Sequence, residues 1–298
     1  MRTLIRLSSL FILSCIISPV LNAQENEREE SDYVFVDPSG KKGFMFGLNI
    51  GGYLPNDESA RFYDGTPKGE GFLNLEEYIG LPFISDQILQ ELGNSASSFR
   101  LAEYPTDMRY TNTVSFGGNL RYQFDWANAI VMDAFFIGLK TNDAFVLAYA
   151  NDNGTVQDIF QNFDIRGRED RLQLSMGYQV SLSKPSQMAG HFEFGPLMTS
   201  VKIKENSFSV GSRTYNILRA QSVGSGNNQL INNNIPNITS FGAYTQLGIN
   251  MEFDKFTVDL DWRTSMEKIA LSPAIEAKYR LYHMPMLRLV YRVSVKGF

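Results

Sequence analysis

The chain has 298 residues, a net charge of −5 and a slightly hydrophilic mean hydropathy of −0.19. An acidic balance gives no basic face to neutralise phosphates, which argues against nucleic acid as a partner. Cys15 is the only cysteine, so neither a disulfide framework nor a thiolate metal site is available.

At the N-terminus, Arg2 and Arg6 flank the start of an apolar run, 7–20, which ends at Leu21-Asn22-Ala23-Gln24. Basic residues, a short apolar stretch and a small residue are the pattern of a cleaved signal peptide. The run is shorter than the roughly 20 residues a spanning helix needs. Ile12-Leu13-Ser14-Cys15 loosely matches a lipidation box, but a cut there leaves an apolar stub up to Val20. The expected organisation is a signal peptide at 1–23, a disordered acidic lead-in at 24–42, and one β-barrel at 43–298. Removing the signal takes Arg2, Arg6 and Cys15 with it, leaving a cysteine-free chain with a charge near −7.

From residue 43 the apolar residues alternate with period two. Phe44, Phe46, Leu48, Ile50 and Leu54 share one face of 43–54; Met45, Asn49 and Tyr53 share the other. Successive side chains of a strand point to opposite sides, so this is a two-faced strand. The pattern returns at 113–124, 169–183, 239–253 and 256–266. Two segments are less regular: 129–140 is apolar on both faces except for Asp133, and 191–202 contains Pro196. Segments of ten to fifteen residues are long for a soluble sheet and suit tilted membrane-spanning strands, which need about 9–11 residues in hydrocarbon.

The connections at 125–128, 184–190 and 254–255 are short. Those at 55–112, 141–168 and 203–238 are long and polar. Strict alternation is the rule for barrels with short periplasmic turns and long outer loops. Within the first long loop, Ile84, Ile88, Leu89 and Leu92 have helical spacing, predicting a helix that caps the barrel mouth or docks a partner. Near the C-terminus, Ser272-Pro273 reads as a helix start. This predicts a short helix over 274–282 in the fourth outer loop, a break at Pro285 and a last strand over 286–298. The fold expected is therefore all-β: a transmembrane antiparallel up-and-down β-barrel of about eight strands, with short helices in its outer loops.

The segments Gly43-Phe-Met-Phe-Gly-Leu-Asn49, Phe192-Glu-Phe-Gly-Pro196 and Leu247-Gly-Ile-Asn-Met-Glu252, with the terminal Phe298, resemble the PorT-like small outer-membrane barrels of Bacteroidetes. The resemblance implies an eight-stranded barrel. The family's namesake serves protein secretion, a role that belongs to one branch and does not carry over by resemblance alone.

The residues facing opposite to the apolar belt are unusually charged. Arg121, Asp133, Glu252, Asp259, Asp261, Arg263 and Arg292 are expected to form a structural charge network in the lumen, with Arg171, Glu193, Arg288 and Lys296 on the same face. An eight-stranded barrel is just wide enough for side chains to fill it. Paired charges would then plug the lumen; the alternative is a small ion-conducting channel. Asp259 and Asp261 share a face as catalytic carboxylates do, but Arg263 beside them favours ion pairing. The two histidines fall far apart, His191 near the inner rim and His283 in an outer loop, so no metal site, triad, catalytic group or cofactor is expected. Asn151-Asp152-Asn153-Gly154 lacks the Glu a calcium loop needs and reads as a turn. The expected partners are outer-membrane lipid around a monomeric barrel and a protein at the long outer loops.

Overall fold

A computed structural model describes residues 42–67, 74–93, 96–151, 158–183, 188–217, 237–253, 255–271 and 277–293. The expected signal peptide, the lead-in up to residue 41, residues 152–154 of the expected turn, the proposed helix start at 272–276 and the terminal Phe298 lie outside these residues.

Among the described residues there are ten strands: β1 (Gly43–Tyr53), β2 (Ala96–Glu103), β3 (Thr113–Gln123), β4 (Asn128–Asn151), β5 (Asp158–Ser181), β6 (Met188–Val210), β7 (Arg213–Asn216), β8 (Asn237–Glu252), β9 (Phe256–Glu267) and β10 (Arg280–Arg292). Eight of them close a ring in the order β1-β3-β4-β5-β6-β8-β9-β10, and β10 pairs back onto β1. Every pairing is antiparallel. Closure leaves no strand edge to face hydrocarbon, which is what lipid demands of a sheet. The other two strands extend the sheet beyond the ring: β2 pairs with the far end of β4, and β7 with the far end of β6. The fold is a transmembrane eight-stranded β-barrel with an elaborated loop end.

Alternation sorts the side chains. On β1, Phe46 is 53% and Leu48 71% exposed, while Met45 and Asn49 are buried. Phe116, Phe136, Met176, Phe241, Trp262 and Leu289 continue the exposed apolar belt round the ring. A continuous apolar band of this kind is stable against acyl chains, not water. At the end with short turns, Tyr122, Phe124, Trp126, Phe253 and Phe256 stand exposed as an aromatic girdle, with the rings of Phe253 and Phe256 stacked 4.6 Å apart.

Three expectations need correcting. First, 141–151, 158–168 and 203–210 are strand and not loop. β4, β5 and β6 run for 24, 24 and 23 residues, and β4 and β5 stay paired as far as Ala150↔Asp158. Second, Pro285 does not end a helix. It lies inside β10, which begins at Arg280, so 280–282 is strand. Pro285 stands opposite Trp262 on β9, while the β1–β10 ladder lapses on its other side, between Gly51↔Met286 and the isolated bridge Leu54↔His283. A residue without an N–H is tolerated where no ladder donor is required. Because 280–282 opens the same strand, the ring still has eight members. Third, His283 belongs to this strand and not to a loop; its ring nitrogen meets the Thr264 hydroxyl at 3.1 Å.

The first long connection folds into the loop end. It holds a 3-10 helix (Asp57–Tyr63), helix α1 (Leu75–Ile79) and helix α2 (Pro82–Leu92). Asn74 and Glu77 form a reciprocal capping box at the start of α1. Pro82 occupies the first turn of α2, where its missing N–H costs nothing. As the spacing predicts, α2 turns Ile88 fully inward, with Ile84 and Leu92 packed on the same core.

Candidate functional site: a lumen filled in three tiers

The lowest tier is a charge network. Asp133 on β4 accepts hydrogen bonds from Asn49 (2.9 Å), Asn119 (2.7 Å), Arg288 (3.0 Å) and Arg263. Arg121 pairs with Asp259. Arg288 reaches four acids: Asp133 at 3.0 Å, Glu193 at 3.3 Å, Asp259 at 3.7 Å and Asp261 at 3.8 Å. Glu193 also accepts from the Tyr244 hydroxyl at 2.6 Å. The Arg263 guanidinium lies over the Tyr244 ring, 4.2 Å from its centroid, and donates to Gln246 and Ser175. These charged side chains are essentially removed from water. Such burial is tolerable because each charge meets an opposite one, although Arg121 Nε, Arg288 Nε, Asp259 Oδ1 and the Asp261 carboxylate have no hydrogen-bond partner among the described residues.

Five of the seven network residues expected from sequence, Arg121, Asp133, Asp259, Asp261 and Arg263, meet in this tier. The pairing differs in detail: Arg263 binds Asp133, not an aspartate of its own strand. Glu252 and Arg292 stand apart, lining a cleft at the turn end with Arg121, Trp126 and Gln179. His191 is not at the rim. It is fully buried, with Nε2 2.9 Å from Asp261 Oδ1. Gly248 makes that approach possible, because a Cβ there would lie 1.9 Å from Asp261 Oδ1 and 2.6 Å from the His191 ring.

His191, Asp259 and Asp261 could each direct one atom to a common point. The negative charge of both aspartates is already shared with Arg121 and Arg288. A divalent cation would have to displace guanidinium groups, so the chemistry of the set fits an ion-pair network and not a metal centre.

The second tier is built on Glu169 and Arg171 of β5. Arg171 donates to Glu169 at 2.7 Å and to the Tyr53 hydroxyl at 3.2 Å. Two tyrosines from the first long connection complete it: Tyr63 donates to Glu169 at 2.8 Å and Tyr110 at 3.0 Å. Burial, followed by the adjacent carboxylate, pushes both of these phenols well above the usual tyrosine range, so they remain donors. Glu267 on β9 is held by neutral donors, including Gln173 at 2.9 Å and Ser265 at 2.9 Å. Gly167 lets the 3-10 helix descend this far: a Cβ there would sit 2.2 Å from the Tyr63 ring.

The third tier is apolar. Phe62, Leu75, Ile79 and Ile88 of the loop pack against inward residues of the prolonged strands, among them Phe145, Ile165 and Phe208. Helix α2 bridges the sheet extension, packing on β2 and β6. Its Glu91 clamps the turn between β6 and β7, accepting from the Ser212 backbone N–H at 2.8 Å and pairing with Arg213 at 3.0 Å. That N–H, with the Ser212 hydroxyl and Arg213, holds the carboxyl below its ordinary range.

Sequence reasoning missed the polar neutral members Asn49, Asn119, Tyr244 and Gln246. Their parity placed them inward, but only the ring order brings them from separate strands onto one acid. Tyr53 of the second tier was placed inward by parity, but Tyr63 and Tyr110 gave no signal, because they come from a connection with no alternation.

No protein-family model matches the sequence, and no curated protein matches it. Among solved structures, the chain is similar to the outer membrane protein OprG from Pseudomonas aeruginosa, at 11% identity and a TM-score of 0.38, over 86% of this chain and 97% of that one. It is also similar to Ail, the attachment invasion locus protein of Yersinia pestis, solved with the heparin analogue sucrose octasulfate, at 9% identity and a TM-score of 0.29, over 83% and 95%.

Proposed function

We propose that the chain is a non-enzymatic, monomeric barrel of the outer membrane of a Gram-negative bacterium, closed to solutes, whose loop end holds a protein partner. The observation that carries this reading is the filling of the lumen. From the Arg121–Asp259 pair to the apolar cap, successive tiers are packed with buried side chains, and the first long connection contributes to two of them. A wall that continues as β4–β6 beyond the apolar belt, braced by α2, gives a partner a rigid platform instead of mobile loops. The resemblance to PorT-like barrels points to a secretion assembly as the setting.

The test is paired. In planar bilayers the purified barrel should give no steady conductance. Crosslinking in native membranes from a cysteine placed on the exposed face of α2, for example Gln90→Cys, should trap one protein in defined stoichiometry. Reproducible single-channel steps would overturn closure in favour of a small channel. Absence of any crosslinked species from several such positions would overturn the partner platform.

A further inference from the structure

The outside of the barrel changes character abruptly at one height on one side. On β4, β5 and β6 the outward belt of large apolar residues ends at Phe136, Leu172 and Met198, with Phe160 exposed separately at the far end of β5, well beyond Arg168. Four residues further toward the loop end, on each of these three adjacent strands, stands a cation: Lys140, Arg168 and Lys202, all exposed. Arg166 and Lys204 lie beside them. The register places Lys140 directly opposite Arg168. Like charges facing one another across a ladder oppose strand pairing, so this arrangement needs a counter-charge.

The protein supplies only part of it. Arg166 is paired with Asp164 at 2.9 Å and Lys204 with Asp170 at 3.2 Å. Glu205 is in register with Arg168, but its carboxylate accepts from the Ser207 hydroxyl at 2.6 Å. Among the described residues, Lys140, Arg168 and Lys202 have no carboxylate within ion-pair distance. Between the strands, Thr111, Lys140, Asn142, Arg166, Arg168 and Glu205 line an open cleft. Hydroxyl, amide and guanidinium donors converge there with an ammonium group, the mixture that recognises phosphate oxygens.

The height identifies the source of the phosphate. Four residues of strand rise about 13 Å, and less once tilted. A cation row at that distance above the last acyl-facing side chain lies where lipid headgroups sit, not out in solvent. We propose that the β4–β6 face binds a phosphorylated lipid headgroup of the outer leaflet, with Lys140 and Arg168 gripping one phosphate and Lys202 flanking it. This rests on the membrane reading above, but it adds a site that reading does not require: the barrel would be immersed in lipid whether or not one headgroup were held.

The experiment uses the full mature barrel in detergent, titrated with a bis-phosphorylated glycolipid and followed by native mass spectrometry. One lipid per barrel is expected, with a dephosphorylated glycolipid of the same acyl composition binding at least tenfold more weakly. The triple variant Lys140→Gln, Arg168→Gln, Lys202→Gln should lose at least tenfold in affinity, while Lys268→Gln, beyond the end of β9, should not change it. These residues are exposed, and heat-dependent gel mobility verifies that each variant is folded; if the triple variant does not fold, the single Lys202→Gln should show a smaller loss in the same direction. Equal binding of phosphorylated and dephosphorylated lipid, or an unchanged affinity in the folded variants, would overturn the site. Inorganic phosphate binding as tightly as the lipid would overturn the lipid source and leave a soluble-anion cleft. Failure of the wild-type barrel to insert into vesicles at all would instead sink the membrane reading itself.

Discussion

The lowest lumen tier makes an asymmetric prediction about charge removal. Its core contains three guanidinium groups, Arg121, Arg263 and Arg288, against four carboxylates, Asp133, Glu193, Asp259 and Asp261. Breaking a fully buried ion pair by deleting one partner typically costs about 3–5 kcal/mol, because the other charge is left without compensation. Consider Asp133→Asn. Arg263 still has Glu193 at 3.6 Å, and Arg288 still has Glu193 at 3.3 Å. Three cations then face three anions, so the cost should fall toward about 3 kcal/mol. Consider Arg288→Met, which keeps much of the volume. Four acids are left with two guanidinium groups, and Asp261 keeps only His191, at 2.9 Å. The cost should reach or exceed about 5 kcal/mol. Urea titration of barrels in lipid vesicles, read by heat-dependent gel mobility, measures both; a difference of about 1.4 kcal/mol is a tenfold change in the folding equilibrium. Equal costs for the two variants, or costs below about 1 kcal/mol for both, would refute the reasoning and show a hydrated lumen in which these charges are screened.

Three further outcomes follow from the same geometry. Asp259→Ala and Asp261→Ala should be non-additive by at least about 0.5 kcal/mol, because both acids share Arg288; strict additivity in the double variant would mean that they act independently. Gly167→Ala should expel Tyr63 from Glu169, making the 57–63 segment newly sensitive to protease while the ring stays folded; an unchanged digestion pattern would show that the 3-10 helix does not depend on that contact. Glu91 has its carboxyl lowered by Ser212 and Arg213, so its clamp contributes fully above the ordinary carboxylate range and is lost as pH falls through the lowered value. Protection of the β6–β7 turn from hydrogen exchange, taken relative to the intrinsic amide rate at each pH, should therefore fall in acid, and Glu91→Gln should abolish that pH dependence; a loss of protection that persists in the variant would place the titrating group elsewhere.

The ring was legible in the sequence because its two faces meet opposite environments. Phe44, Phe46 and Leu48 against Met45 and Asn49 leave no doubt about parity, and parity alone put Arg121, Asp133, Asp259 and Arg263 inside. The continuation of β4–β6 was not legible, for a physical reason. Above the belt the outward positions become polar, as at Lys140 and Arg168, while inward positions turn apolar, as at Leu139, Phe145 and Ile165. The alternation does not stop; it inverts, and a pattern read with one sign ends where the lipid ends. The end of the helix expected at 274–282 is strand over 280–282 for a different reason. Ala, Glu, Lys and Leu are good helix formers, but pairing of Arg280–Tyr282 with Ser265–Glu267 outweighs that local preference. Partner choice within the lumen was beyond reach, since Asp133 gathers donors from β1, β3, β9 and β10, and only closure makes these strands neighbours.

The closing pair also sets an order in time. β4 and β5 are joined by a connection of a few residues and can zip as a hairpin, with β6 following. The β1–β10 seam joins Met45 to Arg292, nearly the whole described chain apart. On simple chain-closure entropy, a loop some forty times longer costs about 3 kcal/mol more to shut. Chain-closure entropy therefore favours closing the seam last. Until the seam closes, the nascent molecule is a curved open sheet with two unpaired edges and its arginines and carboxylates uncovered. Such an edge is a template for joining the wrong chain. The charge cluster buried in the finished barrel is thus a liability until the two terminal strands meet.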